Sequence, residues 1–169
     1  MQQEQRGMHP ANMLRAKQRR GARYDAPNAP HEDLLLMRRG TAYFARKLNE
    51  LADPDLDEAS LVRNWTRRRL VAEVSHNARS LAIALKGLRA ELTDEEVAWK
   101  PDPEFAATLP AHALRYLFDH SSIHLNIEFR DLGDEDWTND IALSPKQSVG
   151  VLQLPRKRAH FVWGMAKLL

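Results

Sequence analysis

Two histidines and a glutamate follow one another at four-residue spacing in one segment of the chain: His120, His124 and Glu128. On a helix this spacing places all three side chains along one face. Two imidazoles four residues apart can share a divalent ion, and a carboxylate can add a third ligand. The competing interpretation, which we favour, is the ordinary polar flank of an amphipathic helix.

A second candidate pair lies in the segment VAEVSHNARSL, where Glu73 precedes His76 by three residues. This spacing lets the two side chains meet on a helix surface, where such a contact is usually of small energetic value. Glu73 also begins a small, polar line that continues with Asn77, Ser80 and Ala84 along one edge of the helix. A line of this kind beside an apolar stripe predicts the border of a cavity.

Several classes of site are excluded by what the chain lacks. It contains no cysteine, which rules out disulfides, a cysteine nucleophile and thiolate metal sites. It has no glycine-rich phosphate loop, no GxSxG elbow and no HExxH motif. No apolar run approaches the roughly 20 residues of a membrane helix, and the first residues do not have a signal-peptide layout. We therefore expect a cytoplasmic protein without membrane association.

Charge divides the 169-residue chain into a basic leader and a slightly acidic remainder. The net charge is +2, but residues 1–30 alone carry six basic and two acidic side chains. This stretch is also rich in Gln, Asn and Pro and poor in large apolar residues, which predicts a disordered tail. We do not expect it to bind nucleic acid, because no aromatic interleaving or nucleic-acid-binding fold accompanies it.

Four helices are predicted to position these side chains. Apolar residues at helical spacing cover about 31–52, 66–92, 110–131 and 155 to the end. Thr66 is the predicted cap of the second helix. The third helix has a second apolar row of Tyr116, Ile123 and Ile127, which predicts burial on two faces. Residues 93–110 are predicted to be a loop, and 134–153 a loop or short hairpin. The fold class is all-α, a four-helix bundle over 31–169.

Four sequence blocks carry a resemblance to a known family: MRRGTAYFARKL, DEASLVRNWTRRRLVAEVSHNARSL, HALRYLFDHSSIHLNIEFRDLGDEDW and LPRKRAHFVWGMAKLL. Together they resemble the N-terminal domain of mycothiol-dependent maleylpyruvate isomerases, within the wider group of DinB-like four-helix bundles. The second block, WTRRRLVAEVSHNA, is similar to the family pattern W-T-R-x-H-x-x-A-H-x-x-x-N-A. The last block is similar to R-x-R-E-V-W-x-H-A-V-D-L.

The resemblance implies a fold and a chemistry. Members convert maleylpyruvate to fumarylpyruvate: a low-molecular-weight thiol adds to the cis double bond, the adduct rotates, and the thiol leaves. A divalent metal, usually zinc, sits between the helices and is held by a His on the second helix and a Glu and a His on the fourth. Such an ion can orient a thiol or polarise a carbonyl.

All three ligand positions that the resemblance implies are substituted in this chain. The first His position is Glu73, the Glu position is Phe161, and the second His position is Met165. Phenylalanine cannot ligate and a thioether suits zinc poorly, so we expect no metal and no cofactor. The primary hypothesis is a degenerate, metal-free relative that acts as a binding or partner subunit.

An active enzyme is the alternative hypothesis. It would be a thiol-dependent isomerase or transferase that uses zinc, a thiol such as mycothiol, and a relocated metal site. The residues available for that site are Glu73, His76, His120, His124 and Glu128. The partner of the protein, either another protein, a small ligand or a second copy of the chain, is left open by the sequence.

Overall fold

The computed structural model describes residues 24–169. These residues form six α-helices: α1 (His31–Asn49), α2 (Arg67–Gly87), α3 (Asp94–Ala98), α4 (Pro103–Ala106), α5 (Ala111–Asp131) and α6 (Leu154–Leu168). A hairpin of β1 (Asp140–Ser144) and β2 (Gln147–Gly150) precedes α6, and short 3₁₀ turns cover Asp53–Asp57, Asp136–Thr138 and Val151–Gln153. The all-α bundle with a short hairpin before its last helix is confirmed.

The four long helices pack in two close pairs, α2 with α5 and α1 with α6. Gly40 lets α1 approach α6, because a Cβ there would lie 2.7 Å from the Trp163 ring and 2.8 Å from Val162. Trp163 in turn stacks on Tyr43 and donates its indole N–H to the Leu36 carbonyl. This contact fixes the position of α6, and with it the side chains that α6 presents to α2.

The second helix begins as predicted and ends earlier. The Thr66 hydroxyl accepts the Arg69 backbone N–H at 3.2 Å, which confirms the predicted cap. The helix ends at Gly87 and does not continue to residue 92. The chain turns there, and the Arg89 side chain reaches carboxylates at the end of α5. These carboxylates, Glu128 and Asp131, lie about 40 residues further along the chain.

Residues 93–110 are not simply a loop, contrary to the prediction. Thr93 and Glu96 form a reciprocal capping box that starts α3, and the Asp102 carboxylate accepts the Phe105 N–H at the start of α4. Both signals are present in the sequence as T-D-E-E and D-P-E-F, a capping pattern and a proline in the first turn. The predicted loop rested on the prolines of this segment, whereas its two helix-start signals are the features that the structure follows.

The predicted burial of α5 on two faces is wrong. Leu114, Phe118, Leu125 and Phe129 are buried, but Tyr116, Ile123 and Ile127 are 67%, 61% and 46% exposed. Because α5 packs closely on α2 and far less on α1, its second apolar row has no helix to cover it. Periodicity identified the row, whereas its exposure depends on the arrangement of the bundle.

The start of the described chain folds onto the bundle. Asp25 forms two hydrogen bonds of 2.6 Å with the Arg38 guanidinium, and Ala29 is buried. The prediction of a disordered basic tail falls, for residues 1–23, outside the described residues. None of the described helices is both long enough and apolar enough to cross a lipid bilayer.

Candidate functional site

The three substituted family positions lie on α2 and α6, the helices that face each other across the bundle. Glu73 lies on α2, and Phe161 and Met165 lie one turn apart on α6; all three side chains are partly buried. We use the name α2–α6 groove for the junction of these two helices, where Arg158 of α6 bonds to Val74 and Asn77 of α2. The predicted polar line of α2 lies at this junction, since Asn77 is directly bonded to α6.

Arg158 connects the two sides of the groove. It is 2% exposed, and its Nη1 donates to the Val74 carbonyl at 3.1 Å and to Asn77 Oδ1 at 2.8 Å. Its guanidinium lies over the Phe161 ring, 5.5 Å from the centroid. The other two guanidinium nitrogens, Nε and Nη2, are buried without a hydrogen-bond partner. Burial lowers the pKa of the Arg158 guanidinium to about 9, so the group is charged at neutral pH.

Glu73 is held by a neighbour on its own helix. Arg69 donates to Glu73 Oε1 from Nε at 3.0 Å and from Nη2 at 2.7 Å, and Arg69 also reaches Glu104. The hydrogen bond to Glu73 raises the pKa of Arg69. Arg69 also lies over the Trp65 ring. The Glu73 carboxylate is therefore neutralised by an arginine four residues away, a partner that the sequence reasoning missed although i,i+4 spacing signals it.

The His76 side chain contacts the segment between α3 and α4. Its Nδ1 accepts the Asp102 backbone N–H at 2.9 Å, and its ring meets Trp99 edge-on. Burial, reinforced by the charge of Arg79, lowers the pKa of His76. A neutral imidazole that accepts a backbone N–H has a structural role here: it anchors the α3–α4 segment on α2.

The row of His120, His124 and Glu128 is partly a surface feature and partly a buried ion pair. Glu128 is 4% exposed and binds Arg89 Nη2 at 2.5 Å, while His124 Nε2 lies 3.2 Å from the other Glu128 oxygen. Asp131 binds the same Arg89 nitrogen at 3.1 Å. The favoured interpretation, a polar helix flank, does not describe Glu128, because this carboxylate is buried and bound by Arg89 from just beyond the end of α2.

An open pocket of about 230 Å³ lies beside this row, between α2, α3 and α5. Its polar lining combines one arginine, two glutamates, two hydroxyl side chains and two histidines: Arg79, Glu95, Glu96, Thr93, Ser121, His120 and His124. Glu96 is already paired with Lys86. The pocket is polar and open, and it is separate from the α2–α6 groove.

The residues named for a metal site are therefore divided among three places. Glu73 is paired with Arg69, His76 with the Asp102 backbone, and Glu128 with Arg89 and His124. Within residues 24–169, no three His, Asp or Glu side chains converge in a way that suits a metal ion. The donor set of the groove does not suit one either, because Phe161 offers no ligand atom and Met165 only a soft thioether.

The six helices and the short hairpin before the last one form a DinB-like helical bundle. The family model for the mycothiol maleylpyruvate isomerase N-terminal domain matches residues 37–164. The chain belongs to this family.

Two solved structures of this family are similar to the chain. The chain is similar to a crystal structure of the mycothiol-dependent maleylpyruvate isomerase, with a TM-score of 0.72 and 26% identity. A His-to-Ala mutant of that enzyme matches with a TM-score of 0.74 and 28% identity. Each match covers 82% of this chain and 60% of the other, so this chain spans about three fifths of the length of those proteins. No match is found among curated proteins.

Proposed function

We propose that this chain is a metal-free member of the family that binds a ligand or partner and does not catalyse the isomerase reaction. The observation that carries the proposal is Phe161, an aromatic side chain at the position where the family resemblance implies a glutamate ligand. A phenyl ring can neither coordinate an ion nor supply negative charge to balance one.

The electrostatics of the groove support the same conclusion. Arg158 places an unpaired positive charge directly over Phe161. Glu73, the carboxylate at a family ligand position, is already paired with Arg69. A divalent cation in this groove would meet a like charge at short range without a free carboxylate to offset it. Without a metal, polar ligand side chains would be destabilising to bury. Phe161 and Met165 are apolar side chains that can fill the space such ligands would occupy.

The alternative is an active thiol-dependent isomerase or transferase with a relocated metal. It would draw its ligands from Glu73, His76, His120, His124 and Glu128, of which His120 and His124 line the pocket beside α5. The enzyme named in the similar structures depends on mycothiol, so such an activity would use that thiol or a similar one. The two proposals predict different amounts of bound metal, and the experiment therefore measures the metal content of the protein.

The test is the zinc content of the purified protein by elemental mass spectrometry, after expression with added zinc. The matched variant restores the implied ligands with Glu73→His, Phe161→Glu and Met165→His together. We expect no stoichiometric zinc in the wild type and about one ion per chain in the variant, because three suitable donors and the missing negative charge return to one groove.

Stoichiometric zinc in the wild type would contradict the proposal. If that zinc were lost on His124→Ala, the ion would lie beside α5 and the alternative would replace it. Turnover of maleylpyruvate by the wild type in the presence of mycothiol would also refute the non-catalytic assignment.

A further inference from the structure

The open pocket beside α5 contains two side chains of opposite charge that no described residue neutralises. Arg79 of α2 and Glu95 of α3 both line it, and within residues 24–169 neither side chain forms a hydrogen bond or an ion pair. We propose that this pocket binds a small zwitterionic amino acid, with its carboxylate on Arg79 and its ammonium group on Glu95. The pocket is separate from the α2–α6 groove, so this inference goes beyond the proposed function and does not rest on it.

An aromatic ring holds Arg79 in place and leaves its hydrogen-bond donors free. The guanidinium carbon lies over the Trp99 ring, 5.0 Å from its centroid, and Trp99 in turn meets the His76 ring edge-on. Such a contact uses the face of the guanidinium, whereas its five N–H groups lie in its plane. Pairs of these donors match the two oxygens of a carboxylate. Arg79 is therefore oriented to receive a carboxylate before any ligand arrives.

The two glutamates of the pocket differ in what they already bind. Both Glu96 oxygens accept hydrogen bonds from the Lys86 ammonium group, at 2.7 and 2.8 Å, and Glu96 Oε2 also accepts the Thr93 backbone N–H. Glu95 is exposed and has no side-chain partner among the described residues. Glu96 is therefore neutralised, whereas Glu95 offers its negative charge to a ligand. An ammonium group of that ligand would bind Glu95 as the Lys86 ammonium group binds Glu96.

Opposite charges in one pocket favour a ligand that carries both signs. No ion pair joins Arg79 to Glu95 directly, although both line the same pocket of about 230 Å³. A simple acid would bind Arg79 but meet the like charge of Glu95, and a simple amine would do the reverse. A zwitterion satisfies both side chains and adds no net charge to the pocket.

The apolar part of the lining indicates the ligand's side chain. Ile83 of α2 and Leu117 of α5 are aliphatic, line the pocket and are each partly buried. They offer a contact surface to a short aliphatic group. The pocket is also smaller than the roughly 300–1,000 Å³ that is typical of drug-sized ligands, which favours a single amino acid over a peptide. An aliphatic α-amino acid such as leucine meets all of these conditions.

The test is a titration of the full, ¹⁵N-labelled chain with L-leucine in the presence of EDTA, followed by ¹H–¹⁵N correlation spectra. We expect saturable shifts of the backbone amides of Glu95, Ser121 and His124. The amides of Glu73 and Phe161, in the α2–α6 groove, should not move. Two analogues test each charge alone: 3-methylbutylamine lacks the carboxylate, and 4-methylpentanoate lacks the ammonium group. Each should bind about tenfold more weakly than leucine, because each loses one charge-assisted contact.

Arg79→Gln and Glu95→Gln separate the two contacts. Each variant should bind leucine about tenfold more weakly than the wild type. Arg79→Gln should bind 3-methylbutylamine no more weakly, and Glu95→Gln should bind 4-methylpentanoate no more weakly. Glu91→Gln is the matched control, because Glu91 is exposed and lies outside the pocket lining, and it should bind leucine as the wild type does. Since Glu95 is exposed, its variant decides the question even if Arg79→Gln does not fold.

Three outcomes would overturn the inference: the absence of saturable shifts at the pocket, equal binding of leucine and either analogue, and leucine binding that requires added zinc. The last would mean that a metal ion holds the amino acid. The zinc content of the wild type tests the proposed function separately, so either proposal can fail without the other.

Discussion

Two arginines reach the interior of this bundle from different segments, and only one of them has a carboxylate counter-ion among the described residues. Arg89, just beyond α2, meets Glu128 and Asp131 at the end of α5. Arg158, in the first half of α6, is buried more deeply and meets only a carbonyl, an amide oxygen and an aromatic ring. One charge is compensated within the described protein, and the other is not.

The difference distinguishes a structural ion pair from a candidate binding group. A paired charge such as Arg89 joins two elements, and its partners would be stranded without it. An unpaired charge such as Arg158 stabilises little by itself and remains free to bind something else. Of the two arginines, only Arg158 lacks a carboxylate partner among the described residues.

The largest expected effect comes from Arg89→Met. The change leaves Glu128 in a buried position with only His124 beside it, and breaking a buried pair typically costs about 3 kcal/mol. Urea unfolding followed by circular dichroism measures the loss. The double variant Arg89→Met, Glu128→Leu should recover much of it, because no buried carboxylate is then stranded; a double variant as unstable as the single one would contradict the ion-pair assignment.

A smaller effect is expected at Gly40, whose contact with α6 sets where Arg158 lies. A methyl group there would press on the Trp163 ring and on Val162, and overpacking of this kind costs roughly 1–3 kcal/mol. Gly164→Ala is the matched control, because a Cβ there meets nothing within 4 Å and the helix gains about 0.5–1 kcal/mol. Thermal unfolding should show opposite shifts for the two variants. Equal shifts would mean that α1 and α6 do not approach closely at Gly40.

The smallest expected effect, and of opposite sign to Arg89→Met, is that of Arg158→Met. The variant loses the hydrogen bonds of Nη1, but it also removes a buried charge without a counter-ion. Replacement of buried charges by apolar side chains is often neutral or stabilising. We expect a change between zero and about 1 kcal/mol of added stability in chloride buffer, measured by urea unfolding. A loss as large as that of Arg89→Met would show that Arg158 is a structural group, and the contrast between the two sites would fail.

Much of the fold follows from local sequence patterns. The four long helices, the Thr66 cap and the hairpin before α6 were predicted, since periodicity and capping residues act within a few positions of the chain. The end of α2 was misplaced: the helix ends at Gly87, and Arg89 beyond it binds carboxylates about 40 residues away, a contact that no local pattern shows. The exposure of Ile123 and Ile127 was missed for a similar reason, since no local pattern tells whether another helix covers a given face.

The sequence proposed positions for the candidate site, and the structure shows the interactions of the residues at those positions. The family resemblance located Glu73, Phe161 and Met165, and it already showed that the implied metal ligands are substituted. The sequence spacing suggested His76 as a contact of Glu73, whereas Arg69 is its hydrogen-bond partner. Arg69 lies one turn before Glu73 and was within reach of a local rule.

The sequence by itself determined the helices, the family and the chemical character of the three substituted positions, because these depend on residue identity and short-range spacing. Only the tertiary structure decided which charges are compensated. Burial and ion pairing join residues far apart in the chain, as Arg158 joins α6 to Val74 and Asn77 on α2. The free edge of a buried guanidinium is therefore a property of the packed bundle that no stretch of the sequence contains.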